Sequence, residues 1–107
     1  MRKKLEQSIE KLKAGDHSAF DFIYERTHLS VYYAVLYIVK DKMHAEDLLQ
    51  ETFVKAIRNL HQYEAGTNFA AWLRTIGKSL AYNFLKKNRR ETPTDFDAES
   101  YKYGTYE

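Results

Sequence analysis

Three groups of residues in this 107-residue chain have types and spacings that could do chemistry. The stretch 69–90 holds Arg74, Lys78, Lys86, Lys87, Arg89 and Arg90 and no acid. Arg74, Lys78, Tyr82, Leu85 and Arg89 fall at i, i+4, i+8, i+11 and i+15, a single line along a helix. Cations interleaved with an aromatic ring suit a nucleic-acid backbone whose bases are free to stack. Upstream, Asp47, Gln50, Glu51, Val54 and Arg58 recur at helical spacing beside a separate apolar stripe. A solvated helix face is the ordinary account of acids so placed. Val54, branched and apolar in their midst, makes the stripe a candidate docking surface instead. The third group, Glu25-Arg26-Thr27-His28, matches the Glu-x-x-His spacing of di-iron bundles, which need two such motifs and two further Glu. A second helical copy is missing, so the match reads as chance.

Little else supports catalysis. The four histidines (His17, His28, His44, His61) are scattered. No Gly-rich phosphate loop, nucleophile–base pair or zinc signature occurs. A binding module without enzymatic activity or cofactor is the better class. With no Cys, disulfides and thiolate metal sites are excluded, and a reducing compartment is permitted. The start, "MRKKLEQSIEKL", is basic but lacks the apolar run of a signal peptide. The longest apolar run, residues 31–39, is about half of what a membrane span needs. It reads as buried helix, with a β-strand as the competing reading for so Tyr- and Val-rich a run.

The net charge of +2 says little, whereas its distribution says more. Residues 91–107 carry five acids against Lys102 alone, directly after the acid-free stretch. A basic helix followed by an acidic tail suggests an anionic partner. The cations at 86–90 also have a structural account, since each favours a helix C-terminus by about 0.3–1 kcal/mol. That account does not reach Arg74 and Lys78, which lie mid-helix.

Elements that position these groups can be placed from the punctuation. Gly15 ends a short helix of about residues 4–14, and Asp16 can cap a second that runs to about residue 39. Phe20, Ile23, Tyr24, Thr27, Val31, Ala34, Val35 and Ile38 form the inward stripe of that second helix. Asp41 is placed to cap a third helix that ends near residue 61. Its core stripe is Ala45, Leu48, Leu49, Thr52, Phe53, Ala56, Ile57 and Leu60. Residues 63–68 read as a loop, because Gly66 permits a sharp turn and Thr67 or Asn68 can cap the next helix. That fourth helix, about residues 69–90, turns Phe69, Trp72, Leu73, Ile76, Leu80 and Phe84 inward. Trp72 shares spacing with Phe69 and Ile76, which favours core packing over base stacking; Tyr82 falls off that stripe. Gly77 costs the fourth helix about 1 kcal/mol relative to Ala, so close packing or accident put it there. The fold class is all-α, a compact bundle of three long helices plus a short N-terminal one. Residues 1–91 form the domain, and 92–107, without apolar periodicity, an acidic flexible tail.

Two stretches together resemble conserved region 2 of bacterial sigma-70 factors, and within them the small extracytoplasmic-function (ECF) group. The pattern A-E-D-L-x-Q-E-T-F-x-K-A is matched at Ala45, Glu46, Asp47, Leu48, Gln50, Glu51, Thr52, Phe53, Lys55 and Ala56. A second, F-x-x-W-L-x-x-I with a basic end, is matched at Phe69, Trp72, Leu73, Ile76, Arg89 and Arg90. The resemblance covers roughly residues 5–91. It implies that Asp47, Gln50 and Glu51, with Val54 at the edge, contact the clamp coiled coil of the RNA polymerase β′ subunit. It further implies that the next loop and helix read and help to melt the promoter −10 element as single-stranded non-template DNA. The residues carried over for that role are Gly66, Thr67, Asn68, Arg74, Lys78, Ser79, Tyr82, Asn83, Lys86, Lys87, Arg89 and Arg90. An anti-sigma protein as a further partner and a cytoplasmic location are implied by the same resemblance.

The chain departs from the family pattern in places. Gly77, Lys78 and Ser79 stand where many relatives carry Asn after Ala-Arg, and Asn83 where Asp is common. The shorter reach of Ser79 bears on which base could be captured. Such factors continue into a second domain, region 4, whose helix-turn-helix grips the −35 element, and residues 91–107 cannot form it. The expectation is therefore either the N-terminal domain of a longer factor or a natural stub. A stub would bind polymerase or an anti-sigma protein without initiating transcription.

Overall fold

A computed structural model describes residues 2–91, with side chains described for 3–88. The order is α1 (Arg2–Lys13), a 3-10 turn (His17–Ala19), α2 (Phe20–Val39), α3 (Lys42–Arg58), a second 3-10 turn (Leu60–Gln62) and α4 (Phe69–Glu91). The expected tail, 92–107, lies outside the described residues.

Each break has a local cause. Gly15, at φ +97°, ends α1 in the left-handed region that lacks a penalty only for glycine. Asp16 then accepts hydrogen bonds from the Ser18 backbone N–H (3.1 Å) and hydroxyl (2.6 Å). These bonds hold its carboxyl below the usual carboxylate range. Asp16 thus caps the 3-10 turn rather than α2 itself, which starts three residues later than the sequence suggests. At the far end of α2 the left-handed residue is Lys40, φ 61°, with no glycine to announce it. Asp41 caps α3 by accepting the His44 backbone N–H at 2.9 Å, as expected. α3 ends at Arg58, because Leu60–Gln62 tighten into the second 3-10 turn.

The core is one cluster drawn from all four helices. Ile9 and Leu12 come from α1; Ile23, Val31, Val35 and Ile38 from α2; Leu48, Leu49, Phe53 and Ala56 from α3; Phe69, Leu73 and Ala81 from α4. The apolar run 31–39 is helical and buried along one side only, since Tyr33 and Tyr37 are 60% and 54% exposed. Ile57, placed inward from its spacing, is exposed and lines a cleft with Leu12, Lys13, His17, Leu60 and His61. Tyr63, placed in a loop, is buried. Trp72 is half-buried against the core, close to the packing role its spacing suggests.

Gly77 marks the point where α2, α3 and α4 meet. A Cβ there would lie 3.1 Å from Val35 Cγ2, 3.2 Å from Thr52 Oγ1 and 3.3 Å from Val31 Cγ1. All three neighbours are branched and buried, and Thr52 is held by donating its hydroxyl to the Leu48 carbonyl at 2.7 Å. The helix-propensity cost of glycine is offset by an approach no larger residue makes without displacing them. Gly77→Val should therefore lower stability by about 1–3 kcal/mol through overpacking. Urea denaturation followed by helical circular dichroism checks this, and a variant as stable as the parent would contradict it.

Candidate nucleic-acid and protein interfaces

Two surfaces come out of the packing, one on α3 and one on α4. Because Ala45, Leu48, Leu49, Thr52 and Phe53 face the core, Asp47, Gln50, Glu51 and Val54 must face outward. All four are exposed, Val54 at 49%. Among the described residues, no hydrogen bond or ion pair draws Asp47, Gln50 or Glu51 toward a neighbour. Gln50 also borders a cleft between α2 and α3 walled by Tyr24, Leu29, Tyr32 and Glu46.

On α4, Leu73, Gly77 and Ala81 are buried, which turns Lys78, Ser79, Tyr82, Asn83, Lys86 and Lys87 to solvent. Tyr82 is 43% exposed, with ring area open for stacking between cations. Arg74 sits at the margin of this face, and its Nη1 donates to Ser30 Oγ on α2 at 2.7 Å. That bond fixes the guanidinium at the α2–α4 seam while leaving part of its donor fork available. Leu85, on the same line, packs partly against the core and so leaves the surface. The side chains of Arg89 and Arg90 lie outside the described residues.

The loop preceding α4 carries structural duties that the sequence only hinted at. Gly66 turns the chain at φ +86°. Asn68 Oδ1 accepts the Ala71 backbone N–H at 3.0 Å and so caps α4. The Thr67 hydroxyl donates to the Glu64 carbonyl at 2.7 Å. Beneath the loop, the Tyr63 ring packs against Phe69 and Trp72 at centroid distances of 4.9 and 5.5 Å. The three residues assigned to DNA contact here thus shape the loop as well. Sequence reasoning missed two residues of α1, Glu6 and Lys13, whose side chains reach Tyr63 across the chain. No local pattern could mark them, since their partner lies 57 and 50 residues away.

The Glu-x-x-His match on α2 resolves differently. His28 Nδ1 lies 2.9 Å from the Tyr24 carbonyl, and its ring stacks on Tyr24 at 4.6 Å. Among the described residues no three potential metal ligands come together. None of their helices is long and apolar enough to cross a membrane.

Comparison with known proteins points one way. The family model described as sigma-70 region 2 matches residues 23–91. The ECF RNA polymerase sigma factor BldN of Streptomyces coelicolor is 37% identical over 82 residues, 76% of this chain and 31% of its own. The RNA polymerase sigma-H factor of Pseudomonas aeruginosa is 30% identical over 99 residues, 92% of this chain and 51% of its own. CarQ, an RNA polymerase sigma factor of Myxococcus xanthus, is 36% identical over 81 residues, 76% of this chain and 47% of its own. The chain therefore spans about half the length, or less, of these relatives. No solved structure matches it. With both motifs on the helices that the family model covers, the chain belongs to the sigma-70 family, as a region 2 domain of the ECF group.

Proposed function

We propose that this domain docks on RNA polymerase through the acidic face of α3 and engages the single-stranded promoter −10 element through α4 and the loop before it. The observation that carries the reading is the separation of two exposed faces of opposite character on adjacent helices of one rigid core. Asp47, Gln50 and Glu51 meet a basic coiled coil of the β′ clamp, with Val54 adding apolar area at the edge. Complementary charge of this kind sets register and on-rate more than raw affinity. The domain has no enzymatic part in this scheme. Its contribution is to hold polymerase and melted promoter in one geometry.

The α4 face divides its labour by chemistry. Arg74, Lys78, Lys86 and Lys87, continued by Arg89 and Arg90, bind phosphates irrespective of sequence. Tyr82, with Ser79 and Asn83 beside it, offers a stacking surface and short polar groups to an unstacked base. Gly66, Thr67 and Asn68 supply backbone and polar groups to a base extruded from the duplex. Extrusion costs a few kcal/mol, and a preformed pocket is what returns it. An anti-sigma protein covering either face would silence the domain by occlusion.

Two measurements test the halves separately. Glu51→Lys should weaken capture by an immobilised β′ clamp fragment roughly tenfold, since it sets like charges against each other. Retention equal to the parent would refute the docking surface. Single-stranded DNA of −10-like sequence should bind with strong salt dependence, and duplex of the same sequence far more weakly. Lys78→Glu should lower the single-strand affinity and flatten the salt slope by about 0.7. Equal binding of single strand and duplex, unmoved by Lys78→Glu, would refute the melting role.

A further inference from the structure

The N-terminal helix reaches the loop to which the proposed function assigns base capture. All of α1 and the start of α2 lie outside the family match, which begins at residue 23. Yet α1 grips that loop with two side chains two helical turns apart on one face. Glu6 Oε2 accepts the Tyr63 hydroxyl at 2.6 Å, and Glu6 Oε1 accepts the Gly66 backbone N–H at 3.2 Å. Lys13 Nζ donates to the Tyr63 carbonyl at 3.3 Å and lies 5.8 Å from the ring centroid.

The chemistry of this clasp is specific. Tyr63 is 2% exposed, and its ring is wedged against Phe69 and Trp72, so its hydroxyl has a fixed origin. The hydroxyl also lies 3.2 Å from the Thr67 carbonyl, but the shorter contact, to a carboxylate, is the stronger of the two. One carboxylate thus receives two donors three residues apart, one before the turn and one at it. Without it, Gly66, a residue free to adopt many backbone conformations, would have only the turn itself to hold it. The conformational entropy of the loop would then count against any base it receives.

We propose that Glu6 is a positioning residue for base recognition, and that α1 acts as a brace setting the shape of loop 63–68. This rests on the reading of that loop as the base-capturing element. Displacing α1 would loosen base selection while leaving the phosphate-binding face of α4 intact. A carboxamide at position 6 can still accept from Gly66 and donate to the Tyr63 oxygen, which then donates to Thr67. Glu6→Gln is therefore the conservative variant, whereas Glu6→Ala removes both acceptors. Tyr63→Phe keeps the buried ring and deletes only the shared hydroxyl.

The experiment compares the 107-residue parent chain with Glu6→Ala, Glu6→Gln and Tyr63→Phe. Amide exchange at Gly66 is followed by NMR, and base preference is scored by selection from a short single-stranded DNA pool randomised at central positions. In Glu6→Ala, Gly66 exchange should rise roughly tenfold and base preference should flatten at one position, with the salt slope unchanged. Tyr63→Phe should shift the preference the same way, and Glu6→Gln should stay near the parent. If the parent shows preference and Glu6→Ala keeps it, the brace is refuted, whatever happens to Gly66 exchange. A parent without any base preference would instead refute the base-capture reading and the brace with it.

Discussion

The close approach of three helices around Gly77 is the constraint on which the surfaces depend. Val31 and Val35 of α2 and Thr52 of α3 pack within van der Waals reach of the place a side chain would occupy on α4. Helix rotation is then no longer free, since a turn of α4 would drive a larger residue into that space. The same contact therefore decides which side of α3 is acidic surface and which side of α4 is basic surface. Close-packed interiors transmit such constraints because they have no slack to absorb them. The packing explains why glycine is tolerated mid-helix, where it otherwise weakens the element.

Around this centre several polar contacts sit at the ends of elements, where backbone groups lack helical partners. Asp16, Asp41 and Asn68 each accept a backbone N–H at the start of a helical segment. The hydroxyls of Thr27 and Thr52, both buried, donate to the carbonyl four residues earlier, so their helices carry them without an orphaned group. The acids of α3 and the lysines of α4 are absent from these internal contacts. Charges kept out of the internal network remain available to a partner, and the fold does not rely on them. Arg74 is the intermediate case, anchored to Ser30 at the seam and still partly exposed.

The loop between α3 and α4 belongs to neither helix. Its base is the aromatic cluster of Tyr63, Phe69 and Trp72, and its turn is held from outside by Glu6 of α1. A segment rich in Gly, Thr and Asn would otherwise be the most pliable part of the molecule. Long-range hydrogen bonds make it an ordered platform. The helix farthest from it in sequence thereby helps to hold its shape.

Helical periodicity, Gly15, Asp41 and Gly66 were enough to read four helices, their order and the two-sided character of α3 from the residues alone. The motifs around Asp47 to Ala56 and Phe69 to Ile76 carried the family as well, because spacing along a helix translates directly into a shared face. Other features were invisible in one dimension. Lys40 adopts a left-handed conformation without a sequence signal, and Ile57, at the end of α3, lines an open cleft instead of the core. Tyr63 passes from loop residue to buried pillar, and Glu6 and Lys13 become part of the loop. Local sequence thus determined the helices and the faces they present, since these depend on residues three and four apart. Tertiary structure alone decided which faces remained open and what held the loop, since both depend on contacts between separate helices, and those that hold the loop join residues fifty or more positions apart.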